Sequence, residues 1–126
     1  MSGFILYVDR STVHEGAYDQ LVSGMRDLAE FVEKNEPDIP SYHVFFSEDH
    51  AAMTVVHVHT TPETLDLHLE IAGPEFAKVK SFLTLQSIDV YGRPSEHALE
   101  MMRKKAAMLG TGEVRVHELA AGFDRL

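Results

Sequence analysis

The chain predicts an α+β domain whose elements run βαββαβ. Three observations carry that prediction. A helix-length apolar stripe ends at Glu36-Pro37, two alternating apolar segments flank a short polar turn, and a Pro-started helix then precedes one last apolar run. At 126 residues the chain is one domain, and a chain of this size buries roughly two thirds of its unfolded surface.

Phe4 to Asp9 (FILYVD) is β-branched and aromatic without helical periodicity, so it reads as the first strand. Thr12 and Glu15 have the spacing of a capping box, which predicts a helix start there. Tyr18, Leu21, Val22, Met25, Leu28, Ala29 and Val32 follow at three- and four-residue intervals. Pro37 stops that helix by disfavouring helical geometry in the residue before it. Ser41 to Ser47 and Ala51 to Thr60 read as a hairpin across Glu48-Asp49-His50. Period-two alternation puts Thr54, Val56 and Val58 on one face of its second strand and Val55, His57 and His59 on the other. Thr61-Pro62 is an N-cap with Pro at the first helical position, and Leu65, His68, Leu69 and Ala72 share a face behind it. Gly73-Pro74 is expected to interrupt this helix, and Thr84 to Tyr91 reads as the fourth strand.

Residues 95–126 are expected to extend the same domain beyond a core of residues 1–94. They hold an amphipathic helix (Ala98, Leu99, Met102, Ala106, Leu109), a Gly110 stop and room for a strand around Val114 to Val116. The βαββαβ order is the split βαβ of a ferredoxin-like fold, a four-stranded antiparallel sheet with two helices on one face. The other face needs a cover, and a second copy of the sheet would supply one.

Composition narrows the function. Lys and Arg number 11 against 20 Asp and Glu, a formal charge of −9 that repels nucleic acid. The run Arg103-Lys104-Lys105 reads as a solvated helix face. No Cys is present, which removes thiolate chemistry, iron–sulfur clusters and Cys-ligated zinc. Without a membrane-length apolar run or a signal-peptide start, a cytoplasmic protein is expected. No nucleotide fingerprint, phosphate loop or Ser nucleophile motif supports cofactor chemistry.

The order of parts from Asn35 to Phe76 resembles the antibiotic biosynthesis monooxygenase family. It comprises the Glu36-Pro37 helix end, a strand, an acidic turn, a second strand and a helix bearing His68-Leu69. That family is a branch of the dimeric α+β barrel proteins with a ferredoxin-like core, and the likeness spans roughly Phe4 to Gly92. It implies a homodimer whose lumen binds a small apolar or aromatic molecule. It also implies a cofactor-independent monooxygenase in which a base deprotonates a phenolic, quinol or polyketide-like substrate and the anion reduces dioxygen. A non-catalytic ligand-binding or subunit-interaction module is the alternative. In that family a His commonly occupies the position of His68. Haem-degrading members carry an iron-ligating His farther on, and Glu75 to Phe82 (EFAKVKSF) has none, so haem is not expected.

Of eight His, His43, His57, His59 and His68 lie in the core-forming region. His68 and His57 are the candidate base and proton relay, because imidazole titrates near neutral pH. His43, His59, Tyr42 and Tyr7 are the candidate substrate-binding groups, the tyrosines for joining an apolar ring to a hydroxyl. The plainer reading keeps His68 as a hydrogen-bonded core residue, and His57 and His59 as polar side chains on a partly wet face. His57-x-His59 also has metal-site spacing, yet no third ligand is evident nearby, so no metal is assigned.

Overall fold

The structure, a computed structural model, describes residues 3–125. Its elements are β1 (Ile5–Val13), α1 (Tyr18–Asn35), β2 (Ser41–Phe46), β3 (Ala52–His59), α2 (Pro62–Phe76), a 3-10 helix (Ala77–Phe82), β4 (Leu83–Tyr91), α3 (Glu96–Leu109) and β5 (Gly110–His117). The strands form one sheet in the order β2-β3-β1-β4-β5. The first four are antiparallel, and β5 joins β4 in parallel. The expected ferredoxin-like core is therefore present, and α3 and β5 enlarge its four-stranded antiparallel sheet into a mixed sheet of five.

The Thr12–Glu15 capping box does not form. Thr12 sits in β1, opposite Ala52 on one side and Thr84 on the other. A central strand satisfies its backbone on both edges, which outweighs what one cap contributes. Gly16, at φ 76°, makes the turn instead, and α1 starts at Tyr18 without a side-chain cap. At α2 the Thr61 side chain does accept from the Thr64 amide. Gly73-Pro74 does not end that helix, which runs through Pro74 to Phe76. Proline removes one helical hydrogen bond, whereas burying Phe76 contributes about 1.5–3 kcal/mol.

The helices cover one sheet face. Leu21, Met25, Leu28 and Val32 of α1, Leu65, Leu69 and Ala72 of α2, and Ala98, Met102 and Leu109 of α3 pack in one core against Ile5, Tyr7, Val55, Leu85, Ile88 and Val90. At Gly110 the chain passes from helix to strand with no loop, and a Cβ there would lie 2.5 Å from the Leu85 carbonyl oxygen. Only glycine permits that approach.

Candidate active site between the sheet and its helices

Among the described residues two polar clusters interrupt this core, one assembled from β1, β2, β3, α2 and the end of α1, the other from β1 and α3. His57 and His59 point from β3 toward the helices and are 1% and 0% exposed; His68 of α2 is 0% exposed. The partly wet face expected for His57 and His59 is thus the dry one. They also point away from the uncovered sheet face, so a lumen between two sheets is not where they lead. Ring centroids are 4.5 Å apart for His57 and His68 and 5.9 Å for His59 and His68. Tyr7, paired with His57 across β1 and β3, stacks on its ring at 4.1 Å. Tyr42, paired with His57 across β2 and β3, stacks from the other neighbour at 5.1 Å.

The hydrogen bonds fix the tautomers. The Thr64 hydroxyl donates to the Thr61 carbonyl at 2.9 Å, so its oxygen accepts from His59 Nδ1 at 2.8 Å. His59 Nε2 then carries a lone pair and accepts from His57 Nδ1 at 2.6 Å. His68 Nδ1 donates to both Glu36 carboxylate oxygens, at 3.0 and 3.1 Å. Both chains end in a bare acceptor, because His57 Nε2 and His68 Nε2 are buried without a partner among the described residues. A buried unmet acceptor costs roughly 1–3 kcal/mol.

Burial holds the imidazoles neutral. It drives the His57 pKa well below the usual range, helped by His68, His59 and Lys105, and lowers that of His59 to about 3, with His68 adding to the effect. His68 is lowered by burial as well, though Glu36 pulls the other way. The Glu36–His68 contact is accordingly a hydrogen bond from a neutral ring, leaving Nε2 free to take a proton.

The second cluster is one that sequence reasoning missed. Lys105 of α3 is 9% exposed and Asp9 of β1 is 3% exposed. The ammonium donates to the Tyr7 hydroxyl at 2.7 Å and to Asp9 Oδ2 at 3.1 Å, and Tyr7 donates to the same carboxylate oxygen at 2.8 Å. Burial and the neighbouring Asp9 push the Tyr7 pKa well up. Of the basic run, Arg103 and Lys104 have the solvated position expected for all three, whereas Lys105 is a core residue. Asp9, Ser11, Tyr42, Phe76 and Lys105 line a cavity of about 20 Å³ between sheet and helices, room for about one water.

His43 does not join. It lies opposite Val56 on the uncovered face, exposed, with its Nδ1 3.1 Å from the Ser41 hydroxyl. Tyr91 is also on that face and stacks on His117 at 4.4 Å. Among the described residues, no three His, Asp or Glu side chains are arranged to hold a metal ion, and no helix is long and apolar enough to cross a membrane.

No protein-family model matches the chain, and no curated protein does. Solved structures do. MupZ from Pseudomonas fluorescens superimposes with a TM-score of 0.76 at 16% identity, over 99% of this chain and 91% of its own. SnoaB from Streptomyces nogalater, a cofactor-independent oxygenase, gives 0.63 at 18% identity over 75% of this chain and 96% of its own. A Caulobacter crescentus protein provisionally classed as an antibiotic biosynthesis monooxygenase gives 0.63 at 19%, over 71% and 88%. The fold is that of the antibiotic biosynthesis monooxygenase-like proteins. Identities this low establish the shared fold alone. The MupZ match takes in nearly the whole chain, α3 and its Lys105 included.

Proposed function

We propose that the protein is a small-molecule enzyme akin to the cofactor-independent oxygenases, acting on a phenolic, quinol or polyketide-like compound held between the sheet and its helices. The observation that carries this is the Glu36–His68 pair. A carboxylate grips one ring nitrogen and leaves the other as a bare acceptor in a dry interior, which is the arrangement of an oriented general base. His68 would take the substrate's hydroxyl proton, with His57 beside it as relay through His59. Tyr7 and Tyr42 would present ring faces to an aromatic substrate. The deprotonated substrate would supply the electrons that reduce dioxygen, with no metal or flavin required.

His68 lies behind Tyr42 and Phe76, with centroids at 5.8 and 5.9 Å, so substrate must part those rings to reach it. A homodimer is the second part of the proposal. Leu6, Val56 and Val58 are half-buried apolar residues on the sheet face opposite the helices, and stable interfaces bury upwards of about 1,200 Å².

Oxygen uptake with a panel of simple quinols, in the presence of a chelator, tests the catalytic reading. Wild-type protein should consume oxygen, and His68→Gln should lower the rate about 100-fold or more. Binding of the same quinols with no uptake would favour the non-catalytic binding module.

A further inference from the structure

Lys105 is costly where it stands. A buried Lys–Asp pair stabilises a fold no better than an apolar pair of the same volume, and α3 could have presented Leu or Met to Tyr7. The pair instead forms the polar end of the interior cavity. An ammonium has three donors. Tyr7 and Asp9 use two, and the Phe76 ring sits against the ammonium, its centroid 3.9 Å from Nζ. Phe76 and Lys105 also line a mainly apolar cleft of about 180 Å³ between α2 and α3, with Leu69, Gly73 and Met101. One aromatic ring and one lysine therefore stand between an outer cleft and the inner cavity. Phe76 is the last residue of α2, two beyond Pro74, and proline leaves that final turn one hydrogen bond short.

We propose that Lys105, steadied by Asp9 and Tyr7, holds the ionised oxygen of the ligand, and that the ligand's ring reaches it through the α2–α3 cleft by displacing Phe76. This rests on the phenol- or quinol-binding reading and specifies its recognition element. The ligand ring replaces the Phe76 ring, and its oxygen takes the third ammonium donor. A fixed cation in a dry site stabilises an oxyanion far more than the same cation in water. Phenols and enols are selected over ethers and hydrocarbons, because only they can present an oxyanion to that donor.

The probe is 4-nitrophenol, whose anion absorbs in the visible while the neutral form does not. Bound to wild-type protein, its ionised-to-neutral ratio should exceed that of the free dye at the same pH by about tenfold, one unit of apparent pKa. Lys105→Met should bring the ratio back to that of the free dye. Asp9→Asn/Lys105→Met should do the same without leaving a buried charge unpaired, which keeps the test valid if the single variant folds poorly. Phe76→Ala should bind the dye about tenfold more tightly, since it joins the cleft to the cavity at no cost of ring displacement. An ionised band that survives both Lys105 variants overturns the role of Lys105 and leaves the ligand site standing. Unchanged affinity in Phe76→Ala overturns the route. A dye that binds neither wild-type protein nor Phe76→Ala overturns the inference and the phenol-binding reading together.

Discussion

The two faces of the sheet each carry an aspartate held by donor side chains, and the two are built differently. On the helix side, Asp9 has one ammonium and one phenol for partners, all out of water. On the uncovered side, Asp89 of β4 meets Arg10 at 3.3 Å, Arg115 at 2.9 Å and His117 at 2.8 Å. Those three are about half exposed. Burial by itself would raise the Asp89 carboxyl, but the hydrogen bonds from Arg115 and His117 win and hold it below the usual range. Water screens the Asp89 group and its partners are redundant. Around Asp9, among the described residues, there is no such redundancy and little screening, so the same chemistry is stiff and expensive.

That contrast sets the expected order of mutational effects. The largest belongs to His57→Ala/His59→Ala, which removes two buried rings and the donor chain to Thr64. It should cost about 4 kcal/mol or more in a urea melt; a cost under about 1 kcal/mol would return these residues to the wet face expected from sequence. Lys105→Met comes next, at about 3 kcal/mol, because it strands the Asp9 carboxylate. Adding Asp9→Asn should restore most of the loss, and a double variant no better than the single would mean the pair is not coupled.

Acid sensitivity follows from the neutral imidazoles. Above a pH of about 6.5, the ordinary imidazole value, folded and unfolded chains both carry His57, His59 and His68 neutral, and their contribution to stability is complete. Below it the unfolded chain takes up protons that the fold refuses, so stability falls with pH. For His59 the loss ends near its folded pKa of about 3. Each such group contributes up to about 1.4 kcal/mol per pH unit. A stability flat from pH 7 to 4 would contradict the buried cluster. The smallest effect is expected from Arg115→Ala, since Arg10 and His117 remain on Asp89. Its melting temperature should stay near that of wild type, and a large drop would show the Asp89 group to be a buried pair like that of Asp9.

Much of the helix-side face was legible in the sequence. Period-two alternation set His57 and His59 beside Val55, the apolar stripe of α2 set His68 inward, and Thr61-Pro62 fixed where α2 begins. The bond from Glu36 to His68 was not legible, because it joins residues 32 positions apart that only the packing of α1 on α2 brings together. His43 went to the other face because its side is set by pairing opposite Val56, and a one-residue difference in register reverses the side. Asp9 and Lys105 did leave a signal. Asp9 is two residues from Tyr7 in an alternating strand and must share its face, and Lys105 is three residues beyond Met102 and seven beyond Ala98, on the buried stripe of α3. The charge run from Arg103 to Lys105 obscured that periodicity. The sequence shows β5 only at Val114 to Val116, because Gly110 and Gly112 disguise a strand that needs them for close approach to β4.

On the reading proposed above, the helix-covered face, and not the open one, receives the ligand. Methyl NMR of the full chain titrated with 4-nitrophenol tests this directly. Met25, Val55, Val79, Leu85 and Leu109, which line the cavity, should shift in concert and saturably, while Leu6 and Val58 on the open face stay still. Shifts confined to Leu6, Val56 and Val58, with the cavity methyls unmoved, would place the ligand between the sheets of a dimer and rule out the helix-covered site.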